Sequence, residues 1–519
     1  MEDIMKKLIV YCIVFGFFLW PVFAMGSGES DVSSPGMREQ RLVLGAASDF
    51  KGNQEAGTLI FDTLVTLDEE RKVQPAALEN WTVNKESTEF VLHLRKGLTY
   101  SDGTAATAED LKKSIEVIGK TQFRSYISKL KKIDVIDTTS VKVVMKEPFL
   151  FLLDELEKNQ LIPARFLQKD GTITEYIGSG PYLLKEYEKN VKAVLVKNPN
   201  YWDKKPYRIE TLIWQVIPDG DARKLALQAG QVDVIGITEH YAGTIPLAVS
   251  YELSKSKEFT KLLQDPKSYT IVFGIGLNYK KDFLKDKALR HALQYVINKE
   301  AFTKELFFGQ ADSCGYLFNP AFDDGPKNKN PFVYDLEKAK SILTKAGYTW
   351  NNGALTKDGK KITLTYVSTT KPQQKDIAVF VQNTLKEIGI EVNIEAVNPP
   401  IAVEKLKKGE WDMSFSLSLF EPLITSLDFG GLNANYHEFG IGFGINSDAV
   451  KSGEKILKAA DLQTFKTAAA EYWDIQWEEN LFIPVYTQTR RAFYKKELSG
   501  FKFSKSAYKI DLSDVRWDK

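Results

Sequence analysis

Between Glu89 and Ile118 the chain changes its hydrophobic period, and that change restricts the fold more than any other feature. Phe90, Leu92 and Leu94 alternate with Val91, His93 and Arg95, the period of two that suits a strand with one buried face. Gly97 and then Ser101-Asp102-Gly103 break the run with turn chemistry, because glycine accepts positive φ and Asp bonds its own backbone. Thr107 is placed to cap free N–H groups, and Asp110 three residues later completes a capping-box pattern. Leu111, Ile115 and Ile118 then recur at helical spacing, which predicts a helix with one buried face.

The same punctuation continues along the chain. Leu42-Val43-Leu44-Gly45 reads as a short strand, and Ile133–Ile136 and Val141–Met145 read as strands paired through Asp137-Thr138-Thr139. A helix is expected from Pro148-Phe149-Leu150. Tyr269–Leu277 is β-rich, Ala288–Ile297 is amphipathic, and Leu336–Ala346 is a helix ending at Gly347. Ile362–Val367 alternates as a strand, Ile377–Ile388 is a helix closed by Gly389, and Val392–Ile394 returns as a strand. Helices and strands in alternation argue for an α/β lobe.

Length permits more than one domain: there are 519 residues, 43% of them hydrophobic. The 69 Lys and Arg against 68 Asp and Glu leave a net charge of +1, so no global field favours nucleic acid. Lys6 and Lys7 precede an apolar run from Leu8 to Trp20 that is too short for a stable anchor, and Val22-Phe23-Ala24 offers a cleavage site. Residues 1–24 are therefore expected to be a signal peptide and 25–40 a flexible leader, which predicts an exported, periplasmic, soluble protein. Cys12 would leave with the signal, so Cys314 has no intramolecular partner and is expected to be a buried, inert thiol.

Catalytic wording is missing. The sequence holds no G-x-S-x-G, H-E-x-x-H, Walker A loop or C-x-x-C, and the expectation is a protein that is not an enzyme. Gly440-Ile441-Gly442-Phe443-Gly444 lacks the strand context of a phosphate cradle. Of the four histidines, His93 and His291 fall in strand and helix patterns and read as structural, whereas His240 and His437 lie near expected loops. Four scattered histidines do not make a self-sufficient metal site.

The wording of the opening stretch carries a resemblance. Pro75-Ala76-Ala77-Leu78 with Trp81, Arg95-Lys96-Gly97-Leu98 with Ser101-Asp102-Gly103-Thr104, and Ala108 to Ile115 (AEDLKKSI) together resemble the signature of family 5 extracellular solute-binding proteins. These are the peptide- and nickel-binding receptors of ABC importers. Gly178-Ser179-Gly180-Pro181-Tyr182, Asn198 to Trp202 (NPNYW), Val216 to Asp219 (VIPD) and Leu225 to Asp233 (LALQAGQVD) are similar to the family too. In the last run relatives place a helix, a glycine and a strand, and Gly230 suits the helix C-cap.

The resemblance implies an α/β, two-lobed periplasmic-binding-protein fold of the class II type, with an interlobe ligand cleft and lobes discontinuous in sequence. Lobe one would hold residues 41–268 completed by 488–519, and lobe two residues 269–487. It implies no catalytic cofactor, a monomer, delivery to the membrane subunits of an ABC permease, and a small ligand. That ligand is expected to be a nickel chelate, with a di- or oligopeptide as the alternative and a secreted hydrolase as a distant one. Peptide receptors carry an aspartate where this chain reads Ser418 to Ile424 (SLFEPLI). Nickel receptors carry an arginine where it offers Lys158-Asn159-Gln160. By the same resemblance Phe50, Arg124, Tyr126, Phe420, Tyr436 and Tyr508 are the ligand-lining residues, and His437 is the one protein ligand to a chelated metal, with His240 in reserve.

Overall fold

The computed structural model describes residues 40–518 apart from 53, 122–125, 206, 239–244, 268–269, 319–324, 327, 421–446 and 506–508. The expected signal peptide lies outside the described residues, as does the leader except for Gln40. The opening stretch folds as its periodicity dictates. Glu89–Leu94 is a strand with Phe90, Leu92 and Leu94 buried, and Ala108–Thr121 is a helix burying Leu111, Ile115 and Ile118. The capping box is closed on both sides: the Thr107 amide donates to Asp110 Oδ2 at 2.8 Å, and the Asp110 amide donates to Thr107 Oγ1 at 3.4 Å. The other Asp110 oxygen accepts from the Ala164 amide at 2.6 Å, so the cap also ties the helix to a distant loop.

That strand sits in a four-stranded antiparallel side sheet, ordered Leu78–Val83, Glu89–Leu94, Ser140–Met145, Leu130–Val135. The hairpin expected at Asp137-Thr138-Thr139 is present, with Asp137 Oδ1 accepting from the Thr139 amide at 2.8 Å.

Two larger sheets carry the rest. The first runs Phe259–Leu263, Arg491–Lys495, Val234–Ile235, Arg41–Ala46, Thr211–Val216, Lys192–Lys197, Tyr182–Glu188. Arg41–Ala46 is parallel to both of its neighbours, and the other pairings are antiparallel. The second runs Asp312–Ser313, Phe482–Gln488, Thr270–Leu277, Met413–Phe420, Thr363–Thr369, Glu391–Val397. Thr363–Thr369 is parallel to the strands on either side of it. The chain passes from the first sheet to the second between Leu263 and Thr270, and returns between Gln488 and Arg491.

Helix boundaries depart from the sequence reading where packing is absent or backbone bonds tighten. The helix expected at Pro148 begins at Leu152, after a turn in which the Leu152 amide donates to Phe149 O at 3.3 Å. Pro372–Lys386 starts a full turn before Ile377, because Gln373, Gln374, Lys375 and Asp376 are polar and leave no apolar period to mark it, and proline is favoured in a first turn. Lys287–Leu293 ends before Ile297: the amides of Gln294, Tyr295 and Val296 each bond three residues back, so the last turn tightens while Val296 and Ile297 stay buried.

Candidate functional site

In α/β sheets ligands gather at the carboxyl ends of parallel strands. In the first sheet those ends are Ala46, Val216 and Ile235. In the second they are Thr369, Val397 and Phe420, and Phe420 pairs with Thr270 at the first crossover. The described residues that follow Ala46 and Ile235, with the strand end at Phe420, thus mark the candidate site, with the two crossovers beside it.

The crossovers are tied to each other. The Gln264 amide donates to Arg490 O at 2.9 Å, and Arg490 Nε donates to Gln264 Oε1 at 2.8 Å. The same guanidinium donates to Ser504 O at 3.3 Å and lies 4.7 Å from the Phe503 ring. Gln264 and Arg490 are both buried. A second tie uses Arg491, which donates to Ser250 Oγ at 3.0 Å and to Gln310 O at 2.9 Å. Gln310 Oε1 accepts from Ser250 Oγ and Lys261 Nζ, each at 3.0 Å. Burial holds the Arg491 guanidinium down at about 10, and burial together with Arg491 lowers Lys261. Sequence reading missed this group; its one signal is two adjacent arginines where the chain changes sheets.

The ligand-lining expectations fall unevenly. Phe50 is buried, edge-on to Trp214 at 5.5 Å and 6.0 Å from Tyr176. Tyr126 is fully buried, its hydroxyl donating to Ile115 O at 2.7 Å and accepting from Asn159 Nδ2 at 2.7 Å. The two rings belong to different apolar cores, so the structure does not bring them together. Phe420 ends its strand at the first crossover. Arg124, Tyr436, Tyr508, His437 and His240 lie outside the described residues. In the segment where the resemblance places an arginine, Lys158 is buried and pairs with Glu155 at 3.1 Å, and Gln160 Nε2 donates to Gln54 O at 3.0 Å.

Several stretches with family wording are structural. Tyr201 OH and Trp202 Nε1 donate to the two oxygens of Asp62, at 2.9 and 2.7 Å. Burial raises the Asp62 carboxyl to about 6 against these bonds. Gly178 and Gly180 lie so close to the Ile60 backbone that a Cβ would sit 2.1 and 2.6 Å from it, which accounts for glycine at both. His93 Nδ1 is 2.8 Å from Ser140 Oγ across the side sheet, and Cys314 is buried. His291 lines a groove of about 560 Å³ with Tyr295, Phe332, Lys338 and Trp477. Burial and Lys338 lower its basicity. Among the described residues no three His, Cys, Asp or Glu side chains form a group that could hold a metal, and no helix is long and apolar enough to cross a membrane.

The comparisons agree with this architecture. Residues 72–422 match the family model described as bacterial extracellular solute-binding proteins, family 5 middle. The glutathione-binding protein GsiB of Salmonella choleraesuis is 24% identical over 506 residues, covering 92% of this chain and 95% of the relative. The nickel-binding periplasmic protein of Escherichia coli is 25% identical over 374 residues, covering 69% and 70%. The crystal structure of NikA from Brucella suis in complex with Fe(III)-EDTA superposes with a TM-score of 0.83 at 20% identity, over 92% of this chain and 100% of that one. The fold is that of the two-lobed α/β periplasmic binding proteins. The chain belongs to family 5 of the bacterial extracellular solute-binding proteins.

Proposed function

We propose that this protein is the exported receptor of an ABC importer, closing two lobes over a metal chelate and presenting it to the membrane permease. The observation that carries the receptor reading is the double crossover between two sheets whose parallel strands end beside it. In this reading lobe one is 41–268 with 488–519, and lobe two is 269–487. Of the residues assigned to the ligand, Arg124, Phe420, Tyr436 and Tyr508 carry the contact in this reading, and Phe50 and Tyr126 are buried in separate apolar cores. An aromatic ring offers a rigid face at small entropic cost, and Arg grips a carboxylate with two bonds.

The chelate is supported by the likeness to a nickel-binding relative, and His437 is its assigned protein ligand with His240 in reserve. Neutral imidazole suits Ni(II), and a chelator that fills most of the coordination sphere leaves one position for the protein. A short peptide is the second reading, favoured by the glutathione-binding relative. Calorimetry with Ni(II) and free L-histidine, on the wild type and on His437→Ala, separates them. Binding lost in a folded variant supports the assignment. Equal binding by both proteins removes His437 from the site, and binding of glutathione without metal selects the peptide reading. Small-angle scattering at saturation tests closure, and an unchanged radius of gyration counts against it.

A further inference from the structure

The side sheet touches more than the lobe that carries it. The helix packed on it, Ala108–Thr121, is joined to the first-sheet half by the Asp110–Ala164 bond and by Ser114, whose Oγ accepts from the Ile162 amide at 2.9 Å. The sheet's apolar core nevertheless continues without a break into the helices Ser447–Lys458 and Leu462–Glu479, which belong to the chain between the two crossovers.

The joint lies at the elbow between those helices. Phe151 meets Phe465 edge-on at 4.5 Å, and both are buried. Lys129 is buried too. Its Nζ is 3.0 Å from Glu147 Oε1 and donates to Leu457 O at 3.2 Å, among the last carbonyls of the first helix. Those carbonyls have no partner within their own helix and sit at the negative end of its dipole, so an ammonium group there is favoured twice. Ser87 Oγ reaches Ala460 O at 3.4 Å from a backbone held at φ +52°.

We infer that this joint is a clasp, distinct from the crossovers, that biases the protein towards its closed form before any ligand arrives. The inference rests on the lobe-closing reading above. The joint is built to separate. Lys129 keeps Glu147 when the lobes part, water can satisfy the carbonyls of Leu457 and Ala460, and no charge is left buried alone. What is lost on opening includes the Lys129–Leu457 and Ser87–Ala460 hydrogen bonds and the apolar contact that Phe465 makes with Phe151 and the core they share, and this loss biases the equilibrium towards the closed form.

The test uses spin labels on the ligand-free, full-length mature protein, with distances read by pulsed electron resonance. One pair spans the joint, at Glu86→Cys and Gln463→Cys. The other spans the two large sheets, at Lys189→Cys and Lys407→Cys. All four positions are exposed and Cys314 is buried, so labelling is selective. The wild type is expected to show a dominant short distance in the first pair. Lys129→Met keeps the aliphatic stem, and Phe465→Leu keeps an apolar side chain. Each should lower the closed-to-open ratio about tenfold in both pairs while the melting transition stays cooperative.

If neither variant moves either pair, there is no clasp. If the second pair shifts while the first stays fixed, the side sheet travels with the helices and the inference falls. If the second pair gives one distance in every protein and also with saturating Ni(II) and L-histidine, the lobe-closing reading itself fails. A second pair that closes with that probe, but is unaffected by both substitutions, overturns the clasp alone.

Discussion

Replacing Asp62 with Asn isolates a balance that the structure sets between burial and hydrogen bonding. The carboxylate is buried and accepts from Tyr201 OH and Trp202 Nε1. Burial raises it from its ordinary 3.8 to about 6, and the bonds to Trp202 and Tyr201 oppose the rise without cancelling it. A raised carboxyl makes the folded state hold its proton longer than the unfolded state does. Its contribution to stability is therefore full below 3.8 and is lost as pH rises through about 6, by about 3 kcal/mol at 1.36 kcal/mol per pH unit. Asparagine has no such titration. It also presents an NH₂ group to one of the two donors, a constant cost of about 1–3 kcal/mol for an unsatisfied buried group. Urea unfolding of both proteins between pH 4 and pH 8 should then give a difference that changes with pH. Asp62→Asn should be most destabilised at the acid end, and the gap should narrow by about 3 kcal/mol as pH passes 6. Asp154, half-buried and raised to about 6, is present in both proteins and cancels. A difference that stays flat from pH 4 to pH 8 would show that Tyr201 and Trp202 outweigh burial, and would refute the argument.

Three further outcomes are expected. Arg290→Met removes the buried ion pair with Glu479 and the bond to Glu479 O, and should cost about 3–5 kcal/mol in denaturant unfolding. Thr107→Ala removes the hydroxyl half of the capping box and should cost about 1 kcal/mol, read as a drop in melting temperature, while Thr107→Ser should recover most of it. Burial pushes the Cys314 thiol up to about 11, so a thiol reagent at pH 8 should label it slowly in native protein and rapidly in urea; equal rates would contradict its burial.

What could be read in the sequence is what depends on neighbours along the chain. The Phe90, Leu92, Leu94 alternation, the Thr107–Asp110 box and the glycines after three helices act within a few residues, and the structure has them where the pattern put them. Gly230, Gly347 and Gly389 all have positive φ. Helix starts without apolar marks were missed, as at Pro372, because a polar first turn leaves no periodic trace. The Gln264–Arg490 tie and the Asp62 anchor join residues far apart in sequence, and no local pattern announces such pairs. Phe50 and Tyr126 show the limit for sites: a family position suggests an aromatic contact, while its partners in this chain are Trp214 in one case and Ile115 and Asn159 in the other.

The order of strands in the first sheet governs when it can form. Arg491–Lys495 lies between Val234–Ile235 and Phe259–Leu263, so the strand that leads into the first crossover has its sheet partner near the end of the chain. Until those last residues are available, Phe259–Leu263 presents an unpaired edge and Gln264 lacks Arg490. Closing a loop of that length is slow, so this pairing should be a late event in folding. A chain still emerging from the ribosome therefore cannot complete the sheet until Arg491–Lys495 is free to pair.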